Sequence, residues 1–263
     1  MGDDGAGRIR SDVADGVARL TIDRPAKRNA LTWELVRDLR AAVEAARADR
    51  DVRVVVLAGA GEWAFCAGVD LGGMASGAGA LELHEARGEL ASLFEDLWGL
   101  GKPTIARVQG FALAGGFGLA LACDLVVAAD DATFGAPEVD VGLWPHLITV
   151  PLTRSMPPKV ALELMLTGRR VPAGEARELG FVTRLVPATS LDDAVAELAG
   201  SLAAKSPAVL ALGLASFHAV WDLGAADALR LLHPMLTVTA GTDDAAEGTT
   251  AFAQRRPPVW RGR

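Results

Sequence analysis

Residues 109–124, Q-G-F-A-L-A-G-G-F-G-L-A-L-A-C-D, have the composition and spacing of a ligand site. They predict a turn at Ala114-Gly115-Gly116 between an apolar strand, 104–108, and a short buried helix. The amides at the start of that helix have no acceptor inside it, and their partial positive charge suits an oxyanion. Glycine lets a ligand approach the main chain closely. A tight turn against a buried helix, without any ligand, is the alternative interpretation.

A second glycine-containing loop, 59–70, directly follows a predicted buried strand. Loops that leave the strands of α/β sheets are where ligand sites gather. Gly68 allows an unusual backbone angle, and Val69 has no side-chain chemistry, so any role of Val69 must come from its amide. Two amides from separate loops form a pocket for a thioester oxygen that becomes negative in a transition state, each worth roughly 3 to 4 kcal/mol of barrier. The alternative is a glycine loop that binds nothing.

Glu138 is the candidate for proton transfer, because it lies in a largely apolar stretch, 134–145. A carboxyl group in an apolar pocket loses hydration, and its pKa rises toward the range that is useful for acid–base catalysis. The alternative is an exposed loop glutamate with no chemical role.

Strands and helices alternate through the first two hundred residues, which indicates a layered α/β domain. Residues 1 to about 10 are expected to be a loose terminus, and Asp15-Gly16 a hairpin turn. Strands are predicted at 17–22, 52–57, 104–108, 125–129, 133–134 and 181–186. Helices are predicted at 33–47 with Thr32 as N-cap, at 81–100, 159–166 and 173–179, and at 190–204 with Ser190 as cap. From 206 onward the pattern predicts only helices, broken near Gly224 and Gly241.

Composition limits the class of protein. The chain has 263 residues, of which 51% are hydrophobic and 22% charged, so a large folded core is expected. The net charge of −7 argues against a general nucleic-acid surface. The two cysteines match no metal-ligand spacing, and no signal peptide, membrane span or nicotinamide-binding fingerprint is recognised. These features predict a cytoplasmic protein without a metal or membrane partner.

Several stretches together resemble the crotonase family, also called the enoyl-CoA hydratase/isomerase superfamily. Residues 24–32, R-P-A-K-R-N-A-L-T, look like its N-terminal signature, and residues 65–71, F-C-A-G-V-D-L, look like its first oxyanion loop. Residues 109–124 look like the second oxyanion loop, and the match continues through Pro137-Glu138, 166–168 and 247–263. The resemblance covers nearly the whole chain.

The resemblance implies a spiral of ββα units in residues 1–200, followed by a C-terminal helical oligomerisation region, 201–263, that builds a homotrimer or homohexamer. It implies an acyl-CoA substrate, with no cofactor beyond the CoA that belongs to the substrate. The amides of Val69 and Gly115 would form the oxyanion hole, and Glu138 would be the acid–base group. The carbonyl of Ala67 would bind the adenine amino group, and Phe252 could reach a neighbouring subunit's CoA. Lys27 or Arg28 would contact the CoA phosphates. The other expected CoA-binding residues, drawn from the first two motifs, are Ala30, Ala67, Asp70 and Leu71.

One departure from the family pattern affects the reaction. Hydratases of this family use two glutamates to hold and split water, and the first should stand three residues after Gly115, where this chain has Gly118. Members with only the later glutamate resemble the Δ3,Δ2-enoyl-CoA isomerases. Dienoyl-CoA isomerases add an aspartate at the position of His146, which is either a second base or a loop residue without a role. Asp140 is another candidate.

The open functions are therefore hydration and double-bond isomerisation, with hydrolysis or decarboxylation of an acyl-CoA also possible on this scaffold. A non-catalytic acyl-CoA-binding protein is the alternative from another class. Residues 71–90 and those around Trp144 are expected to line the acyl pocket.

Overall fold

The computed structural model describes residues 5–70 and 79–263 of the chain. Within these residues the predicted α/β class is confirmed. The strands are Arg8–Ala14 (β1), Val17–Asp23 (β2), Val54–Gly59 (β3), Ala64–Cys66 (β4), Thr104–Val108 (β5), Phe111–Leu113 (β6), Leu125–Ala129 (β7), Thr133–Gly135 (β8), Arg170–Pro172 (β9) and Arg184–Val186 (β10).

In the first half of the chain, the helices lie close to their predicted positions. In the second half, helices form most of the structure. They are Trp33–Ala48 (α1), Ala80–Trp98 (α2), Gly115–Ala122 (α3), Thr149–Ser155 (α4), Pro158–Thr167 (α5), Ala173–Glu178 (α6), Leu191–Ala203 (α7), Pro207–Ala219 (α8), Ala225–Ala240 (α9) and Asp243–Gln254 (α10). Short 3₁₀ helices occupy Pro25–Lys27, Pro137–Val141 and Ala188–Ser190.

A large sheet with the strand order β1-β2-β3-β5-β7-β10 forms the first layer. Strands β2, β3, β5, β7 and β10 are parallel, and β1 is antiparallel to β2. The predicted hairpin turn is confirmed, because Asp15 and Gly16 both have positive φ angles, 51° and 78°. All six residues of β3 are buried, as expected for a β-branched strand that is covered on both faces.

A small sheet with the order β4-β6-β8-β9 forms the second layer. Each of the consecutive pairs β3–β4, β5–β6 and β7–β8 places its first strand in the large sheet and its second strand in the small sheet. Helix α2 follows the first pair and α3 follows the second. The chain therefore winds as a spiral of ββα units, as predicted.

The main core lies between these layers and the helices that cover them. Helix α1 begins where Thr32 accepts a hydrogen bond from the Leu35 amide (3.2 Å), which confirms the predicted cap. Its buried stripe follows helical periodicity and comprises Leu35, Val36, Leu39, Val43 and Ala46. Helix α7 packs on the opposite face of the large sheet. There Leu191 and Val195 of the helix form a second apolar cluster with Val56 and Ile105 of the sheet.

Helices α8 to α10 form the C-terminal region. His218 of α8 joins this region to the core, because its Nε2 lies 3.1 Å from Oδ1 of Asp124. Neither α8 nor α9 contains a fully buried residue in the single chain. The predicted division after residue 200 falls inside α7 and stays a prediction.

Several sequence-based expectations about elements were wrong. Residues 1 to about 10 were expected to be a loose terminus, but residues 8–14 form β1, an edge strand whose side chains are nearly all exposed and so carry no apolar alternation. Strands β4 and β6 have three residues each, too few for a detectable period. Ser190 makes no side-chain cap to α7. The last strand begins at Arg184 rather than 181, and α4 was not predicted.

Among the described residues, no single helix is long and apolar enough to cross a membrane. Residues 188–203 and helix α8 reach that length and apolarity only as a pair, and the pair is bent by 103°.

Candidate active site

The candidate residues Val69, Gly115 and Glu138 each follow a strand of the small sheet. Strand β4 ends at Cys66, β6 ends at Leu113 and β8 ends at Gly135, all three running parallel with β6 in the middle. The carboxyl ends of parallel strands meet at one edge of a sheet, which is where α/β proteins form ligand sites. The fold thus brings the three predicted segments to the same edge.

Two glycines allow the first two segments to touch. A Cβ atom on Gly68, whose φ is +97°, would lie 2.9 Å from Ala114 Cβ and 3.3 Å from the Gly115 nitrogen. A Cβ atom on Gly116 would overlap the Cys66 carbonyl and lie 2.8 Å from Cys66 Cβ. Because real Cβ atoms do not approach so closely, both glycines are required for the start of α3 to sit against the loop after β4.

Ala114 holds an uncommon backbone conformation immediately before α3. Its φ of 50° and ψ of −128° are disfavoured for a residue with a side chain. Its amide donates to the Gly135 carbonyl (2.8 Å), and its carbonyl accepts from the amides of Phe117 (2.9 Å) and Gly118 (3.1 Å). These bonds fix the direction of the next amide, that of Gly115.

The amides of Val69 and Gly115 are close to each other and unpaired. A Cβ atom on Gly115 would lie 3.8 Å from the Val69 nitrogen. In the part of the chain that the structure describes, neither amide donates a hydrogen bond to the protein, although Gly68 and Asp70 on either side of Val69 both bond to Leu31. The geometry therefore leaves two neighbouring donors available for an oxygen atom of a ligand.

Glu138 lies in the 3₁₀ helix Pro137–Val141 and is half-buried. Its Oε2 atom is buried and has no hydrogen-bond partner among the described residues. Burial raises the pKa of Glu138, while the hydrogen bond from its own amide and the charge of Arg170 act in the opposite direction and are weaker. A carboxyl group with a raised pKa is suited to accept and return a proton.

Gly118 lies where the family pattern has its first glutamate, and its surroundings leave no room for a side chain. A Cβ atom there would overlap Ile148 Cγ2, and it would lie 2.9 Å from Ile148 Cβ and 3.1 Å from Phe94 Cζ. Ile148 and Phe94 are 2% and 3% exposed. Apolar side chains therefore occupy the space that a carboxylate side chain at position 118 would need.

His146 and Asp140, the other candidates for a second acid–base group, are both exposed. The main chain of His146 bonds to Trp144 and Thr149, and its side chain makes no hydrogen bond within the described ranges. Both carboxylate oxygens of Asp140 lie 3.1 Å from the position of a Cβ atom on Gly168, at the end of α5. Their roles stay predictions.

The loop with the expected CoA-binding residues is built around a buried asparagine that the sequence analysis did not identify. Asn29 is 0% exposed and donates to the carbonyls of Ala60 (2.9 Å) and Ala64 (2.7 Å). The Arg28 carbonyl accepts from the Ala67 amide (3.1 Å), which ties the two predicted CoA-binding segments together. The side chains of Lys27 and Arg28 are exposed and available to an anion.

Arg24 is a second residue that the sequence analysis did not single out. Its guanidinium donates to Asp70 Oδ2 (2.7 Å) and to the Ala30 carbonyl (3.1 Å), and only 7% of the side chain is exposed. Asp70 and Ala30, predicted as CoA-binding residues, are therefore parts of a contact between the first motif and the loop after β4. Leu71 lies outside the described residues.

A cleft of about 420 Å³ between α1 and α2 extends to the loop after β4. Its walls include Val69, Trp33, Leu83 and Ala86. Five residues of the predicted acyl-pocket range 71–90 line this cleft, namely Glu82, Leu83, Glu85, Ala86 and Glu89, and residues 71–78 lie outside the described part. Elsewhere, within those described ranges, no three His, Cys, Asp or Glu side chains are grouped as metal ligands.

A family described as enoyl-CoA hydratase/isomerase matches residues 12–263. A carnitinyl-CoA dehydratase of Proteus mirabilis is 36% identical over 252 residues, covering 94% of this chain and 95% of the relative. A putative enoyl-CoA hydratase of Thermus thermophilus is 39% identical over 244 residues, covering 92% of this chain and 96% of the relative. The crystal structure of an enoyl-CoA hydratase of Mycobacterium smegmatis superposes with a TM-score of 0.92 at 34% identity, covering 96% of this chain and 98% of that chain.

Proposed function

The chain belongs to the enoyl-CoA hydratase/isomerase family, and we propose that it moves a carbon–carbon double bond in the acyl group of a CoA thioester, with Glu138 carrying the proton. The observation that carries this proposal is the packing at Gly118. Ile148 and Phe94 fill the space of a second carboxylate, so Glu138 is the one that is present of the two glutamates that hydratases of the family pair. Residues 71–78, L-G-G-M-A-S-G-A, contain no titratable side chain that could replace it.

The first step is stabilisation of negative charge on the thioester oxygen. The unpaired amides of Val69 and Gly115 donate to this oxygen when a proton leaves the adjacent carbon. Donors held in place before the reaction need no reorganisation, and each is worth roughly 3 to 4 kcal/mol of barrier. The contacts that hold Ala114 and Gly68 supply that rigidity.

The second step is proton transfer by Glu138. The carboxylate takes a proton from C2 of a 3-enoyl thioester, the electron pair spreads into the thioester as an enolate, and the double bond forms between C2 and C3 when the same proton is returned to C4. No water is consumed, so substrate and product have the same mass. The raised pKa of Glu138 makes the carboxylate a stronger base than an exposed glutamate, which favours removal of the proton from C2.

Hydration or dehydration is the second candidate, and the names of the relatives favour it. The Proteus mirabilis relative is named a carnitinyl-CoA dehydratase and the Thermus thermophilus relative a putative enoyl-CoA hydratase. On this chain, water addition requires another group to hold the water, and His146 or Asp140 would have to reach the substrate from exposed positions.

We also propose that the protein acts as a homotrimer or homohexamer. Large apolar side chains on the C-terminal helices are exposed in the single chain, which supports coverage by other copies. They include Phe217, Leu229, Leu236, Val238 and Phe252. The molar mass in solution, measured by light scattering, tests this proposal directly.

A turnover assay on 2-enoyl-CoA and 3-enoyl-CoA esters of several chain lengths, with products identified by mass, tests the reaction. The proposal expects interconversion of the two esters without a change in mass. Addition of one water as the main reaction would favour the hydratase instead. Release of free CoA or carbon dioxide would indicate hydrolysis or decarboxylation. Tight binding of CoA esters without any turnover would identify a binding protein.

A further inference from the structure

Gly115 and Gly118 are one helical turn apart and share a face of α3. Leu90 Cδ2 lies 3.4 Å from the position of a Cβ atom on Gly115, and Phe94 Cζ lies 3.1 Å from that on Gly118. Leu90 and Phe94 are also one turn apart, on α2. Two apolar side chains of α2 therefore lie along the face of α3 that begins at the proposed oxyanion donor.

Ile148 completes this apolar wall from the other side. It is the N-cap residue of α4, and its carbonyl accepts from the Leu152 amide (3.0 Å). The next residue, Thr149, donates its amide to the Pro145 carbonyl (3.1 Å). The main chain at Ile148 is thus held on both sides, and a β-branched side chain has little freedom at χ1. Its Cβ and Cγ2 atoms cannot easily leave the space beside Gly118.

We infer that Ile148 determines the reaction specificity of this site, because it excludes both a second carboxylate and a bound water from the space beside Gly118, one helical turn from the Gly115 amide. A bound water needs space as well as polar partners, and Cβ and Cγ2 of Ile148 fill the space beside Gly118. With no water held there, the enolate is quenched by the proton on Glu138. This inference rests on the proposed function and adds Ile148 to it.

The inference differs from a purely structural role for Ile148 in packing α4 against α3. Loss of packing alone would lower every activity of the site by a similar factor. Loss of a specificity determinant changes the ratio of water addition to double-bond migration on the same ester. That ratio is the readout.

The experiment compares Ile148→Ala with Ile148→Val. Valine keeps Cβ and Cγ2, the two atoms that occupy the space beside Gly118, and removes only Cδ1. Alanine removes Cγ2. We expect Ile148→Ala to raise the ratio of hydration to migration by about tenfold, which corresponds to about 1.4 kcal/mol between the two barriers. We expect Ile148→Val to leave the ratio unchanged. Equal loss of both reactions in Ile148→Ala would overturn the inference.

Ile148→Leu serves if the alanine variant does not fold. Leucine has the same number of carbon atoms and lacks the Cγ2 branch, and volume-conserving substitutions are tolerated best in cores. The ratio should rise in this variant as well. An unchanged ratio in a folded leucine variant would contradict the inference.

A double-mutant cycle with Gly118→Glu provides a second test. We expect Gly118→Glu alone to have a lower melting temperature than the wild type, and Ile148→Ala to recover part of that loss when both are combined. We also expect hydration to be highest in the double variant. Additive melting temperatures together with no gain of hydration would refute the inference. Failure of the proposed function is distinguishable from failure of this inference, because in that case the wild-type protein itself would not move a double bond.

Discussion

The amide of Ala114 donates to the carbonyl of Gly135 across 2.8 Å and so joins the start of α3 to the strand that leads to Glu138. This bond couples the proposed oxyanion donor at Gly115 to the proposed acid–base group. Ala114 adopts its disfavoured φ of 50° at this junction, and strain of that kind persists only where surrounding contacts enforce it. The small sheet provides those contacts through the pairing of Leu113 with Gly135.

Substitution of Glu138 by glutamine should abolish turnover and leave CoA-ester binding nearly intact. Removal of a general acid–base group typically costs about 10²- to 10⁴-fold in rate. The measurement pairs a turnover assay with a binding titration on the same ester. Glu197→Gln is the matched control, because Glu197 lies on α7 with 76% of its side chain exposed. A glutamine variant with an unchanged rate would eliminate Glu138 as the proton carrier.

The raised pKa of Glu138 predicts how stability depends on pH. Its folded-state pKa lies above the ordinary glutamate value of 4.5, so the folded state binds the proton more tightly than the unfolded state. The Glu138 contribution to the free energy of unfolding must therefore fall as pH rises from about 4.5 through the raised value. Above that window, the buried carboxylate destabilises the fold.

Glu138→Gln should accordingly melt at a higher temperature than the wild type at neutral pH. The difference in melting temperature between the two proteins should shrink as pH is lowered through the window, because the wild-type carboxyl then becomes neutral too. Differential scanning calorimetry from acidic to neutral pH measures this directly. A constant difference across the range would mean that burial does not raise this pKa.

Gly116→Ala should destabilise the protein and reduce its activity. The added methyl group would overlap the Cys66 carbonyl and push α3 away from the loop that contains Val69. Gly200→Ala is the control, because Gly200 is an exposed residue of α7 with no atom near its Cβ position. That change should stabilise the helix by about 0.5 to 1 kcal/mol. Equal melting temperatures for the two variants would show that the close approach at Gly116 is not needed.

The two loops that are proposed to hold the oxyanion donors, and Glu138, could be singled out from the sequence because each is marked locally, by glycines after an apolar strand or by a carboxyl group in an apolar stretch. The space beside Gly118 could not, because Ile148 comes from a helix thirty residues further along the chain. The buried partners of Asn29 lie 31 and 35 residues away, and Asp70 lies 46 residues from Arg24. The three-residue strands β4, β6 and β9 were missed because they derive their pairing from neighbouring strands rather than from their own pattern.

Arg24→Ala should lower both the stability of the protein and its affinity for CoA esters. The guanidinium joins Asp70 to the Ala30 carbonyl, and its removal leaves a carboxylate and a carbonyl without that donor at the junction of the two proposed CoA-binding segments. Loss of a hydrogen-bond partner costs a fully buried polar group about 1 to 3 kcal/mol, and we expect a value at the low end here because 27% of the Asp70 side chain is exposed.

Arg8→Ala is the matched control for this prediction. Arg8 also pairs with an aspartate, Asp23 (3.2 Å), but 73% of its side chain is exposed, compared with 7% for Arg24. Exposed ion pairs contribute between about 0 and 1 kcal/mol. We therefore expect a clear drop in melting temperature and a rise in KM for Arg24→Ala, and nearly wild-type values for Arg8→Ala. If Arg24→Ala lowered stability without changing KM, the contact between Arg24 and Asp70 would support the fold alone and not the position of the CoA-binding loop.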